Sequence, residues 1–349
     1  MLSRNAIRPV AAPPLPAPRG PLSAAVIGAL RDAREVTAPP GVDPGGADPY
    51  GADLQLALYC LYELHYRGFA GVPDEREWDP ALLTVRAALE RRFLDALRAD
   101  VTPSDDVQAE LDALLVEPVE GQGPSWYLKD EGEPWQVREY VAHRSLYHLK
   151  EADPQAWVIA RLEGPAKAAL VTVEHDEYGA GDPDRMHAQL FADMMRALGL
   201  DDTYGAYLDA APAQTLAEVN LMSLCGLHRG LRGALVGQFA TVELTSSPGS
   251  ERLVRAMRRL DLPEAAVEFY AEHVEADAVH EQLVRRGVIA PLLAGEPALA
   301  PDVVFGIRAS GFLADRFADH LLGCWTQDRS SLLRPLPDHP AAAPRPRSA

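Results

Sequence analysis

From Ala52 onward, apolar side chains recur along the chain at helical spacing. Two stretches display the pattern clearly: Leu54, Leu56, Leu58, Leu61 and Leu64, then Leu82, Leu83, Val85, Leu89 and Phe93. Spacings of about three and four residues place such side chains on one face of an α-helix, whereas the alternation typical of strands is nearly missing. The chain therefore predicts an all-α fold of roughly ten helices and no sheet.

Proline-rich and glycine-rich stretches divide the chain. Residues 1–20 and 334–349 are rich in Pro, Ala and Arg, and we expect both to be disordered tails. The segment 117–126 resembles a linker between an N-terminal helical region, 21–125, and a C-terminal helical domain, 126–333. Two lobes that share an interface and one continuous helical domain both fit this pattern.

The chain is strongly acidic. It has 349 residues, of which 47% are hydrophobic, enough to fill a globular core. The 33 basic and 51 acidic residues give a formal net charge of -18, which repels nucleic-acid phosphates and anionic lipid headgroups. We therefore expect a small-molecule substrate, with no nucleic acid and no membrane as partner.

Cysteine usage and the N-terminal sequence bear on location. The three cysteines lie far apart and form no CxxC spacing, so they indicate neither a disulfide framework nor a zinc ribbon. The N-terminus lacks the apolar core of a signal peptide, and no later stretch reaches the roughly 20 apolar residues of a membrane span. These features predict a cytoplasmic protein.

Three potential metal ligands share one face of a predicted helix. His273, Asp277 and His280 stand at positions i, i+4 and i+7, which stacks them on one side at 3.6 residues per turn. Two imidazoles and one carboxylate suit iron, manganese or zinc, and this set occurs in many ferrous sites that activate O2. A solvated, charge-rich helix face is the alternative, because Glu272, Glu275 and Glu281 lie on the same helix.

An isolated carboxylate strengthens the metal hypothesis. Glu243 is the one ionisable side chain in the mostly apolar stretch 233–248. If it is buried it needs a partner, because an unpaired buried charge costs several kcal/mol, and a metal ion is one such partner. The alternative is an exposed turn beside a helix end that the sequence predicts at 246–250.

A glycine-rich break separates two further candidates. Glu177 and His187 are ten residues apart and would point in different directions on an uninterrupted helix. They can converge only if the break at 179–183 reorients the chain. A helix-loop-helix corner with an ordinary histidine is the simpler interpretation of this segment alone.

Several motifs in order resemble one enzyme family. DEYGAG is followed by MHAQLF, ALGLDDTY, NLMSLCGLHRGLRGALVGQFATVE and FYAEHVEADAVHEQ. Over residues 135–325 the chain is similar to the haem-oxygenase-like di-iron oxidases and oxygenases, also called iron-containing redox enzymes. The resemblance implies an all-α, haem-oxygenase-like helical bundle, here with an additional N-terminal helical region. It also implies two Fe2+ ions, O2 as co-substrate and no haem, and it allows a homodimer.

The resemblance also implies a ligand set. The positions that match the ligands of the family are Glu177, His187, Glu243, His273, Asp277 and His280. Glu151 stands where some members have a further carboxylate, although a Glu just before Pro154 is also ordinary at a helix end.

From these motifs we expect a non-haem di-iron oxidase or monooxygenase of specialised metabolism. It would oxidise a small, amino-acid-like or amine substrate, by N-oxygenation or by oxidative desaturation or cleavage, through a peroxo-diferric intermediate. Two alternatives remain: a mononuclear iron enzyme that uses only His273, Asp277 and His280, and a non-catalytic helical binding or scaffold protein.

Overall fold

The protein is described by a computed structural model that covers residues 11–32, 43–117 and 120–337. Within these ranges the regular structure is helical and no residue forms a β-strand, so the all-α prediction is confirmed. The helices are α1 (Pro21–Arg31), α2 (Ala52–Glu63), α3 (Pro80–Asp100), α4 (Val107–Leu114), α5 (Pro124–Asp130), α6 (Pro134–His148), α7 (Asp153–Ile159), α8 (Gly164–Glu177), α9 (His187–Ala197), α10 (Ala213–Leu227), α11 (Arg232–Arg259), α12 (Glu264–Gln282), α13 (Ala290–Gly295) and α14 (Ala300–Trp325).

Helix α11 is the centre of the arrangement. It packs along α12 and α14, and its neighbours α5, α10 and α4 contact it as well. The helix continues through Pro248, so the helix end predicted at 246–250 is wrong. Side chains before and after the proline are buried, and this packing outweighs the loss of one backbone donor.

The N-terminal helices share an apolar core with the rest of the chain. One cluster of buried side chains runs from Leu22 in α1 to Leu313 in α14 and includes residues of α2, α3, α10 and α11. A second cluster joins α6, α9, α12 and the distal halves of α11 and α14. The two regions thus share buried side chains, and the division of the chain at 117–126 stays a prediction.

A buried ion pair also joins α2 to the turn that follows α6. The Lys150 ammonium lies 2.9 Å from the Glu63 carboxylate, and both side chains are almost fully buried. The Tyr204 hydroxyl donates to the same carboxylate at 2.6 Å, and the ring of Tyr66 lies 4.1 Å from the ammonium. The pair is therefore enclosed by partners, as a buried charge requires.

The segment 11–20 packs against the body, in contrast to the tail prediction. The Pro13 carbonyl accepts a hydrogen bond from the Ala70 N–H at 2.8 Å. The Ala17 N–H donates to the Asp209 carboxylate at 2.9 Å. A proline-rich segment outside any helix or sheet can still bind in this way, because its carbonyl groups remain free to accept hydrogen bonds.

The C-terminal end behaves similarly over its described part. Residues 334–337 lie on the body, where Arg334 pairs with Asp209 at 3.0 Å. The remainder of the two predicted tails, 1–10 and 338–349, lies outside the described residues. Among the described helices no single one is long and apolar enough to cross a membrane. One bent pair, Glu264–Gly295 and Pro297–Trp325, reaches that length and apolar character only when its two parts are taken together.

A buried histidine ties this C-terminal segment to the bundle and predicts a pH effect on stability. His143 in α6 contacts the hydroxyl of Thr215 at 2.8 Å and that of Ser331 at 2.9 Å. Burial, together with nearby His320 and Arg144, lowers the pKa of His143 from 6.5 to about 3. The folded protein therefore keeps this ring neutral where the unfolded chain binds a proton.

We expect this stabilisation to be complete above pH 6.5 and to be lost as pH falls from 6.5 towards 3. Relative to His143→Gln, the wild-type free energy of unfolding should fall by up to about 1.4 kcal/mol per pH unit in this window. Urea unfolding of both proteins at pH 7.5, 6.5 and 5.5 measures the difference. Parallel pH profiles would contradict the prediction.

Candidate metal centre

The seven residues predicted as metal ligands lie close together and are buried. Glu151 follows the end of α6, Glu177 ends α8, His187 begins α9 and Glu243 lies in α11. The other three lie on α12: His273, Asp277 and His280.

These residues form two groups that share one member. The first group is Glu151, Glu177, His187 and His273. The second group is Glu177, Glu243, Asp277 and His280. Within each group, one potential ligand atom from each residue lies within 4.8 Å of the others. Glu177 therefore stands between two potential metal positions.

The break between α8 and α9 reorients the chain, which was the condition for Glu177 and His187 to converge. Gly179 has a φ of 78°, and a Cβ there would lie 2.7 Å from the Met186 nitrogen. Ala180 is also left-handed, with a φ of 52°. The chain reverses here, and the His187 Nδ1 atom comes within 2.8 Å of the Glu177 Oε2 atom.

Helix α12 divides its three residues between the two groups. His273 Nε2 faces Glu151 Oε1 at 3.7 Å. His280 lies two helical turns after His273, and its Nδ1 atom is 3.5 Å from Asp277 Oδ1 and 3.1 Å from Glu243 Oε2. The spacing that stacks the three side chains on one helix face thus spreads them over two helical turns.

Unsatisfied atoms indicate that the centre fits metal ions. Among the described residues, Glu151 Oε2 and Asp277 Oδ2 are buried and have no hydrogen-bond partner. Leaving such atoms unpaired in the core is costly, and coordination would satisfy them. Carboxylate oxygens with imidazole nitrogens are a donor set that suits iron.

Two of the three histidine rings are oriented as metal ligands usually are. His273 Nδ1 donates to the Phe269 carbonyl at 2.8 Å, which leaves Nε2 free to face the first group. His280 has Nε2 3.3 Å from Asp176 and Nδ1 towards the second group. Such outer contacts fix the ring and its tautomer.

The protonation of the cluster reflects its excess of carboxylates. Burial acts to lower the pKa of His273, but the nearby carboxylates of Glu151, Asp277 and Glu177 outweigh it and raise the pKa to about 10. His280 shows the same balance, with Asp277 and Glu243 raising its pKa to about 11. Burial raises the pKa of Glu243 to about 8. Without metal, protons on the imidazoles balance the carboxylates, and metal ions would replace that positive charge.

Three further ionisable residues lie beside the cluster and are not among the predicted ligands. His148 Nδ1 lies 2.6 Å from Glu151 Oε1, and Asp176 contacts His280. Glu174 is buried one turn before Glu177, and burial raises its pKa to about 9. The spacing of His148 to Glu151, three residues, was a usable signal, whereas Asp176 depends on the direction in which α8 ends.

A cavity of about 560 Å³ reaches the cluster. Five of the seven predicted ligands line it: Glu151, Glu177, Glu243, His273 and Asp277. Its walls include the aromatic rings of Phe239, Phe269, Tyr270 and Phe317. Arg144 and Glu218 are two of the charged residues that also line the cavity. A small organic molecule therefore has access to the candidate metal positions.

The comparisons with known proteins agree with this chemistry. No curated protein matches the chain. The family described as "Iron-containing redox enzyme" matches residues 138–314, which is just over half of the chain and contains all seven predicted ligands. The expected fold class, an all-helical haem-oxygenase-like bundle, is thereby confirmed as well. The chain belongs to the iron-containing redox enzyme family and is an iron oxidoreductase.

Proposed function

We propose that the protein is an O2-dependent non-haem oxidase or oxygenase that uses two ferrous ions. The observation that supports this best is the pair of four-residue groups that share Glu177. One buried histidine and carboxylate group would suffice for a mononuclear enzyme. A second group, equally buried and rich in carboxylates, balances the charge of a second ion.

Each group has its own residues. Glu151, His187 and His273 would hold one iron, and Glu243, Asp277 and His280 would hold the other, with Glu177 between them. Bound ferrous ions would supply the electrons and the open coordination positions that O2 activation needs. The chain itself orients the ligands through the Phe269 carbonyl and Asp176 contacts and surrounds the site with aromatic side chains.

The substrate in this proposal is a small amine or amino-acid-like molecule. It would be oxidised by N-oxygenation or by oxidative desaturation or cleavage. The size of the cavity, about 560 Å³, is in the range of pockets that enclose molecules of this size.

Iron stoichiometry tests the proposal. Metal-free protein titrated anaerobically with Fe2+ is expected to bind two ions per chain, and Mössbauer spectra after exposure to O2 should show a magnetically coupled pair. Glu243→Ala removes a ligand of the second group only and should bind one ion. One iron per chain in the wild type, unchanged by His187→Ala, would instead support a mononuclear site formed by His273, Asp277 and His280.

The effect of iron on the melting temperature distinguishes an iron enzyme, with one or two ions, from a non-catalytic scaffold. Ions that bind only the folded state must raise the melting temperature with their concentration. Addition of Fe2+ under anaerobic conditions is therefore expected to raise the melting temperature of the wild type, and to raise it less in Glu243→Ala. A melting temperature that iron leaves unchanged in both proteins would favour the scaffold alternative.

A further inference from the structure

The wall of the cavity carries a partly buried ion pair that the candidate metal centre does not use. Arg144 in α6 donates to the Glu218 carboxylate of α10 at 3.2 Å. The two side chains are 22% and 15% exposed, and both line the cavity. A guanidinium has five N–H donors, and this is the one hydrogen bond that the described residues make to Arg144. The remaining donors are therefore available to a ligand.

A second polar group at the same place also lacks a partner. The Tyr270 side chain lines the cavity, is 5% exposed, and its hydroxyl has no hydrogen-bond partner among the described residues. Tyr270 and Arg144 both line this cavity. A buried hydroxyl without a partner costs free energy that a ligand oxygen could recover.

Glu218 is the negative half of this site. Burial raises the pKa of Glu218 to about 7, and Arg144 opposes the shift. A cation placed beside the carboxylate would keep it ionised at neutral pH. The pair thus offers one positive and one negative group side by side, where neither is saturated by the protein.

We propose that Arg144 and Glu218 bind the zwitterionic head group of an α-amino acid substrate. The carboxylate of the ligand would accept hydrogen bonds from Arg144 and Tyr270, and its ammonium group would donate to Glu218. This assignment rests on the proposed function, whose substrate it makes specific. An amine alone would leave without an acceptor those Arg144 donors that Glu218 does not take. A carboxylic acid alone would add a second anion beside Arg144 and would bring no cation to Glu218.

The position of the pair also determines which part of the substrate reacts. Arg144 precedes His148 by one turn of α6, about 6 Å along the helix axis, and His148 in turn contacts Glu151 of the first group. Arg144 and Glu218 belong to neither group of candidate ligands. A head group held there directs the side chain of the amino acid along the aromatic wall towards the cluster. Oxidation is therefore expected on the side chain and not at the α-nitrogen.

Binding measurements test the head-group site without relying on turnover. The iron-loaded full-length protein is screened anaerobically against the twenty proteinogenic L-amino acids by saturation-transfer NMR, and each ligand found is titrated by calorimetry. We expect at least one to bind, and its affinity to fall at least tenfold in Arg144→Gln and in Glu218→Gln. Arg255→Gln, which changes an exposed arginine of α11, should bind as the wild type does.

Matched ligands separate recognition from a structural role. For each amino acid that binds, the corresponding amine lacks the carboxylate and the corresponding acid lacks the amine. Arg144→Gln should weaken binding of the acid but not of the amine. Glu218→Gln should weaken binding of the amine but not of the acid. Arg144→Lys, which keeps the charge, should retain part of the affinity for the acid, and it provides a second variant if Arg144→Gln does not fold.

Two results would overturn the assignment: no binding of any of the twenty amino acids, or equal weakening of acid and amine by both variants. Iron content measured on the same samples keeps the two proposals apart. The wild type could hold fewer than two irons while each variant still weakens only the ligand that its residue is proposed to bind. In that case the di-iron proposal fails and the head-group site stands. If two irons bind but the pattern is missing, the reverse holds.

Discussion

Replacing Glu177 with alanine is expected to remove both irons, whereas a change in one group removes one. Glu177 is the residue common to the two groups, so its loss takes a ligand from each position at once. His187→Ala affects only the first group, and Asp277→Ala affects only the second. Iron per chain after anaerobic loading and desalting should therefore be near zero for Glu177→Ala and about one for each of the other two.

Glu268→Ala is a matched control, because Glu268 is an exposed carboxylate on α12 one turn before the cluster. It should bind as much iron as the wild type. Circular dichroism shows whether each variant keeps its helices. The prediction fails if Glu177→Ala retains one full equivalent of iron, since the two groups would then not depend on a common ligand.

Replacing Gly306 with valine is expected to destabilise the fold strongly and to lower iron content with it. Helices α11 and α14 approach so closely that a Cβ at Gly306 would collide with the Ala234 carbonyl oxygen, and one at Gly237 would collide with the Val303 carbonyl oxygen. These contacts involve backbone atoms, which cannot move aside by a change of rotamer. Such overpacking should cost about 3 kcal/mol or more.

The effect should extend to the metal centre, because α11 also carries Glu243. Separation of α11 from α14 moves that carboxylate relative to α12, so iron binding should weaken together with the urea midpoint. Gly311→Ala is the control on the same helix, where a Cβ would meet no atom within 4 Å. It should leave iron binding unchanged and stabilise the protein by up to about 1 kcal/mol. Similar losses in both variants would contradict the close-contact explanation.

The sequence predicted those features of the centre that depend on local spacing. The positions of His273, Asp277 and His280 repeat with the helix period, and α12 indeed presents them to the cluster. The glycine break after Glu177 made convergence with His187 possible, and the chain does turn there. Glu243, an isolated carboxylate in an apolar stretch, is buried as the metal hypothesis required and does not lie in the exposed turn that was the alternative. In each case the signal lies within one helix or one turn.

Features that depend on how helices meet could not be predicted in this way. The division of the α12 residues between two groups requires the direction from which Glu151 and Glu243 approach. The pairing of Arg144 with Glu218 joins α6 to α10, which are far apart in sequence. Helix α11 continues through Pro248 because of its packing, although local propensity indicated an end there.

The turn after α6 connects the N-terminal helices to the candidate metal cluster. Lys150 and Glu151 are adjacent, yet Lys150 pairs with Glu63 of α2, and Glu151 belongs to the metal cluster. The family match begins at residue 138, so Glu63 lies outside it. Truncation to the matched residues would leave a buried ammonium without its counter-ion beside a candidate iron ligand. We therefore expect the minimal unit that folds and binds iron to be longer than the region that identifies the family.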